Sequence, residues 1–384
     1  MLKDVLLAPP DRLAFTGDSG WSKLLEAVKL HKETTRLVPI TKFQDVVLED
    51  NGLLQKRYKF TRYALTKYCR QLVHGLSQAA VRIIDEEDSG PQDMQALIDV
   101  INRLARVRAR RRLEGWRWIV DERQKKVLGL ISARFKLTYS SDLLDNIHAY
   151  ILQQNQLGFL DAVISHRKLS LRFVGRKPAF TLPIRDRQDP FFSGFYFTNS
   201  EVGDGAIGAS PLIWRQWSKA AAVHPQEDAS RKLRHVKHKK FLQLLHELLT
   251  STLLQPNQLK EFRLNLLAMR EVKLGFPRDP GLQQKMIVKL SGVLQGAGLT
   301  SKYSRALIGV MVSQGSYSFE KRLPNEDISE VTTRRNYFDL WTAMIAQARS
   351  LPPDEREVAE GVAYRMMSGS FLFDRKRLGS KVKA

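Results

Sequence analysis

The sequence predicts an α+β fold, with a central, mostly antiparallel sheet over about residues 115–217 packed between N-terminal and C-terminal helices. Three observations lead there. Apolar residues recur every three or four positions before residue 112 and again after residue 240, which is the helical period. Between them the pattern alternates residue by residue, which is the period of a half-buried strand. The chain has 384 residues, 43% of them hydrophobic and 27% charged, the composition of a globular protein able to bury a sizeable core.

Residues 1–20 mix Pro, Gly and Asp and read as an arm or loop, and from Trp21 to Ile84 the pattern is mainly helical. In RYKFTRYALTKYCRQLVHGLSQAAVRII, Thr61 is placed to cap a helix. Ala64, Leu65, Tyr68, Leu72, Val73 and Leu76 form its apolar face, with Arg62, Lys67 and Arg70 opposite. The acidic stretch from Asp85 to Pro91 reads as a linker. A second helix follows over MQALIDVINRLARVRARRR with Met94, Leu97, Ile98, Ile101 and Leu104 inward, and its C-terminal half is almost pure arginine.

The period then switches. Trp116, Trp118 and Val120 alternate with other residues, DERQKK makes a polar turn, and Val127, Gly129, Ile131, Phe135, Leu137 and Tyr139 alternate again, so a hairpin is expected. SDLLDNIHAYILQQN starts with a capping pair and continues at helical spacing, so a helix should pack on that hairpin. KLSLRFV, AFTLPI and FFSGFYFTN read as further strands, before a Gly-rich turn in VGDGAIG. Four to seven strands are expected in all.

After Pro225 the chain returns to helices: HKKFLQLLHELLTSTLL, QLKEFRLNLLAMREV, QQKMIVKLSGVLQGAG, RNYFDLWTAMIAQAR and PDEREVAEGVAYRMM, the last opened by Pro352, Pro353 and Asp354. The division expected is an arm (1–20), an N-terminal helical region (21–114), a core with the sheet (115–250), a C-terminal helical region (251–373) and a basic tail (374–384). There is no internal repeat.

Charge narrows the function. Lys plus Arg number 62 against 40 Asp plus Glu, a net charge of +22, so a polyanion is the expected partner. The single cysteine, Cys69, excludes an internal disulfide and any multi-cysteine zinc site, and fits a reducing cytoplasm. No apolar run is long enough to span a membrane, and Asp4 with Pro9 and Pro10 stands where a secretory leader would be apolar. The expectation is a cytoplasmic protein with no membrane association.

Four segments, read in order, resemble the phage and plasmid domain-of-unknown-function family whose members are described as phage/plasmid-like proteins. They are YKFTRYALTKYCRQLVHGLSQAAVRII, WRWIVDERQKKVLGLISARFKLTYSSDLLDNI, FYFTNSEVGDGAIGASPLIWRQWS and RKLRHVKHKKFLQLLHELL, which together fall within about residues 40–250. The family's strand end, glycine turn and terminal arginine are matched by Asn199, Ser200, Gly203, Gly205 and Arg215, and its Arg-His pair by Arg234 and His235. The Cys and Asn that follow in the family are replaced here by Gln216, Trp217, Ser218 and Lys219, so no role for that Cys carries over. The resemblance implies an α+β protein of a mobile element in a bacterial host, and it supplies no active site.

Two basic clusters carry the functional reading. RLARVRARRRLEGWR brings Arg106, Arg108, Arg110, Arg111, Arg112 and Arg117 together beside Trp116 and Trp118. Arginine forks pair with phosphates, and an exposed Trp can stack on an unpaired base, a combination suited to single strands. RKLRHVKHKK supplies Arg231, Lys232, Arg234, Lys237, Lys239 and Lys240 at the start of a helix, where the macrodipole opposes cations and an anion relieves them. The plain alternative for each is a solvated face, with both tryptophans in the core.

Other motifs carry less. His235, His238 and His246 have no carboxylate or thiol at a helpful local spacing, and the surrounding cations argue against a metal. Gly203, Gly205 and Gly208 spell a dinucleotide-binding pattern, but without a preceding βαβ unit they read as a turn between antiparallel strands. Cys69 has no base to activate it and reads as buried. The run Asp85, Glu86, Glu87 and Asp88 reads as a solvated loop. The expectation is therefore a non-enzymatic DNA-binding protein without metal or cofactor, of low sequence specificity, acting on single strands in replication or recombination and able to form homo-oligomers. A module that binds an acidic protein partner is the alternative.

Overall fold

The structure, a computed structural model, describes residues 12–41, 43–48, 58–71, 91–108, 115–154, 156–165, 167–184, 187–224, 232–235, 240–271, 280–296, 298–313, 336–349, 351 and 353–368. Its strands are β1 (Arg12–Thr16), β2 (Thr35–Pro39), β3 (Lys59–Phe60), β4 (Arg117–Asp121), β5 (Lys126–Ile131), β6 (Leu157–Ser165), β7 (Leu169–Gly175), β8 (Phe180–Ile184), β9 (Arg187–Asn199), β10 (Ile207–Arg215), β11 (Ala220–Val223) and β12 (Lys232–Leu233). Its helices are α1 (Gly17–Thr34), α2 (Arg62–Gln71), α3 (Pro91–Arg108), α4 (Ser140–Gln154), α5 (Phe241–Thr252), α6 (Pro256–Glu271), α7 (Pro280–Gly296), α8 (Ser301–Ser313), α9 (Tyr337–Ala348) and α10 (Pro353–Met367). The fold class is α+β.

The strands form two sheets where the sequence led us to expect one. The large sheet runs β1-β6-β7-β9-β10-β11, with β8 also paired to β9 and β12 to β10, and every pairing is antiparallel. The small sheet runs β2-β4-β5-β3, and its β3–β5 pair is parallel. The 117–131 hairpin therefore belongs to a separate sheet. It recruits its edge strands from the N-terminal third, where a two-residue strand and a five-residue strand directly after a helix leave almost no periodic signal.

Three more expectations are corrected. Residues 12–16, expected within the arm, form β1 and pair with β6 about 150 positions away, a partnership that local pattern cannot reveal. β6 itself was not anticipated, because Asp161 interrupts its apolar run. That carboxylate faces Arg172 on β7 across the sheet, with both oxygens 3.2 Å from Nη1. Residues 132–139, expected to continue the hairpin, lie outside any strand, so the alternation of Phe135, Leu137 and Tyr139 is a property of an irregular connector.

β9 is the spine of the large sheet. Its apolar side chains Phe191, Phe195 and Phe197 are fully buried at spacings of four and two, the signature of one strand face. α1, α4 and α5 cover part of that face with Leu24, Leu144, Ile147, Leu245 and Leu249. The helices from α6 to α10 cover the end near Phe191 and Ile213 with Leu266, Leu307, Trp341 and Val362. At the small sheet, α2 packs Ala64, Leu65, Tyr68 and Cys69 against Phe60 and Trp118. Its start is fixed by the Thr61 hydroxyl, which accepts from the Ala64 amide at 3.2 Å.

Candidate nucleic-acid interface

The connector from β5 to α4, residues 132–139, joins the two sheets and is pinned at several points. Gly115 approaches it so closely that a Cβ there would lie 2.7 Å from that of Ala133, and the Arg117 guanidinium reaches the Ala133 carbonyl at 3.5 Å. The Lys136 amide donates to the His235 carbonyl at 2.8 Å, and the Phe135 ring stacks on the His235 imidazole with centroids 4.7 Å apart. Asn199, at the end of β9, donates to the Thr138 carbonyl at 3.1 Å and to the Ser140 hydroxyl at 3.0 Å, while Glu201 accepts from the Ser140 amide at 2.7 Å. Such dense anchoring makes this connector a fixed bracket.

The bracket joins the two basic clusters. Arg117 belongs to the first and meets it at Ala133. Arg234 is next to His235, which meets it at Lys136. The bracket adds exposed Arg134 and Lys136 and carries no acidic residue from Ser132 to Tyr139. The carboxylates around it are engaged: Glu201 is buried and bonded to Ser140, Asp204 accepts from Arg167 Nε at 2.6 Å, and Asp142, on the first turn of α4, accepts from Lys32 at 2.6 Å. Arg117, Arg134, Lys136 and Arg234 thus lie on adjoining segments although up to 117 positions separate them.

Lys67 lies behind this band. Its ammonium donates to the carbonyls of Val202 and Gly203 at 3.0 and 2.8 Å, and burial lowers its pKa to about 8 against an opposing pull from Asp204. His235 is buried, and burial holds its pKa down to about 4 against an opposing interaction with the Lys136 backbone, with Lys67 adding repulsion. It stays neutral at physiological pH and acts as a packing surface for Phe135.

The expected site residues separate into groups. Arg117 and Arg234 lie on the band. Lys232 is half-buried where β12 pairs with β10, Lys240 is exposed at the start of α5, and Arg106 is exposed on α3. Arg108 ends α3, seven residues before Gly115, so the chain from it back to the band spans at most about 25 Å. Arg110, Arg111, Arg112, Arg231, Lys237 and Lys239 fall outside the described residues, as does His238.

The base-stacking reading of Trp118 is overturned. Trp118 is fully buried, donates from Nε1 to the Asp45 carbonyl at 2.9 Å, and meets Phe60 edge-on. The alternation that made it conspicuous is that of a core strand. Trp116 is half-buried against the same core. Arg134 and Lys136, by contrast, did not stand out from the sequence; their signal was the face opposite Phe135, Leu137 and Tyr139.

The remaining motifs have structural places. Gly203 and Gly205 adopt φ of 75° and 121° in the turn between antiparallel β9 and β10. Arg215 is buried at the end of β10, its Nε 2.5 Å from Asp189 and its Nη1 2.7 Å from the Thr342 hydroxyl. Cys69 is buried, which pushes its thiol up to about 12. Among the described residues no group of three His, Cys, Asp or Glu side chains is placed to hold a metal, and no helix is long and apolar enough to cross a membrane. No protein-family model, curated protein or solved structure matches the chain.

Proposed function

We propose that this is a non-enzymatic DNA-binding protein of low sequence specificity that holds the phosphates of single-stranded DNA during replication or recombination of a phage- or plasmid-like element. The observation that carries the reading is the bracket: it ties Arg117 of one basic cluster to Arg234 of the other and contributes Arg134 and Lys136 between them. A fixed run of cations whose neighbouring carboxylates are already paired suits a polyphosphate backbone, which presents regularly spaced charges and releases counterions when neutralised. With Trp118 in the core, phosphate contact carries the affinity, and any stacking falls to Trp116.

The test is binding of a labelled 30-nucleotide strand, followed by fluorescence anisotropy, with R134E and K136E combined. The expected result is at least a tenfold loss of affinity with the fold intact, while K285E combined with K302E, an equal charge change on α7 and α8, has little effect. Equal effects of the two pairs would reduce the interaction to net charge and remove the site. A competing duplex of the same length tests strand preference: the single-strand reading requires the duplex to compete less well, and a duplex that binds at least as well, as its denser charge alone would make it, would contradict it.

A further inference from the structure

A cavity lies at the opposite end of β7 from the basic band. Leu169 at the start of β7 pairs with Asn199, whereas Val174 near its other end pairs with Gly194, which separates the two regions by about 17 Å of strand. There the corner between α5 and α6 leans over the start of β6, the end of β7 and Ser193 in the middle of β9. It encloses about 500 Å³, within the roughly 300–1,000 Å³ range of small-ligand sites. Leu157, Leu253, Leu254, Leu259 and Ala179 make its apolar wall.

Its polar side is cationic. Arg176 and Lys177, both exposed, stand on the turn after β7, and among the described residues no Asp or Glu lines the cavity. The turn is held in place by the Arg176 amide, which donates to the Gln156 carbonyl at 2.7 Å, and by the Ala179 amide, which donates to the Phe191 carbonyl at 2.7 Å. The two cations are therefore presented from a fixed backbone, next to a leucine-lined hollow. An alkyl or aryl group buried against the leucines, with its acid group at the rim, satisfies both surfaces; a neutral ligand leaves the cations unused, and a compact inorganic anion leaves the leucines uncovered.

We propose that this cavity is a binding site for a small amphipathic anion, one apolar chain or ring system bearing a carboxylate or similar acid group. The occupant is a free, single-chain molecule, because a volume of about 500 Å³ is that of a small-ligand site. The site is independent of the DNA-binding reading.

The test uses 1-anilinonaphthalene-8-sulfonate as a fluorescent probe, with dodecanoate and dodecanol as competitors, on the full chain. The expected result is saturable one-site binding, displaced by dodecanoate at a concentration at least tenfold below that needed for dodecanol. R176S combined with K177S, two surface changes that keep the backbone bonds, should weaken probe and dodecanoate at least tenfold. S193F, which fills the hollow from β9, should abolish binding while circular dichroism confirms the fold. Unchanged probe affinity in either variant, equal competition by the alcohol, or sedimentation with anionic phospholipid vesicles that dodecanoate does not reverse would overturn the proposal.

Discussion

His235 shows how one side chain couples the bracket to pH. Its imidazole is buried against Phe135, and burial lowers its pKa from 6.5 to about 4 against a weaker opposing interaction with the Lys136 backbone. The folded state therefore binds this proton less readily than the unfolded chain, so stability is full above pH 6.5 and falls as pH drops toward 4, by about 3 kcal/mol for a shift of this size. H235F removes that titration: urea unfolding should show the wild type losing about 3 kcal/mol more than H235F between pH 7 and pH 4, and parallel losses would contradict the assignment. Arg172 makes a different point. Its guanidinium, in the sheet interior, meets Asp161 at 3.2 Å and Glu360 of α10 at 2.8 Å, and Arg356 meets Glu360 at 2.8 Å. Removing one partner of a buried pair leaves a charge without compensation, so E360A should lower unfolding free energy by about 3 kcal/mol or more. A loss below 1 kcal/mol would show the network to be solvated. Cys69 should resist a thiol reagent until the chain is unfolded, since burial withholds both access and the thiolate.

At the scale of elements, the large sheet depends on a close backbone approach between β7 and β9. A Cβ on Gly194 would come within 1.9 Å of the Phe173 carbonyl oxygen, a rigid backbone atom, so G194A must push the strands apart. The variant should lose at least about 2 kcal/mol in urea unfolding, as overpacked interiors do. β8 shows how an edge is covered without another strand. It pairs with β9 on one side, and on the other α6 sends Arg263 to the Thr181 carbonyl at 3.2 Å and Arg270 to the Pro183 carbonyl at 2.5 Å. R263A combined with R270A uncovers those acceptors, and light scattering should report faster aggregation on warming with little change in unfolding free energy. These elements also show what the sequence could disclose. β7, β8 and β9 were legible because their apolar residues alternate within one strand, and α2 because Thr61 caps a periodic face. β1, β2 and β3 were hidden because their pairing is set by partners far along the chain. β6 was hidden because its central carboxylate answers a buried arginine on the neighbouring strand.

For the whole molecule, a net charge of +22 favours polyanions everywhere on the surface, so the question is where the charge is concentrated. The candidate site was half legible. The clusters holding Arg117 and Arg234 stood out as runs of like charge, but their meeting at Ala133 and Lys136 depends on a connector that local periodicity presents as a strand. Trp118 was misread for a related reason: an aromatic residue beside arginines looks available for stacking until the small sheet closes over it. Four cations held on one bracket should neutralise about four phosphates of a single strand, which gives a slope of log affinity against log salt near −3. The most direct measurement is therefore a salt titration of single-strand binding in the wild type and in the R134E and K136E double variant. The bracket requires a wild-type slope near −3 that becomes shallower by at least one in the variant. Identical slopes in the two proteins, or a wild-type slope near zero, would contradict it.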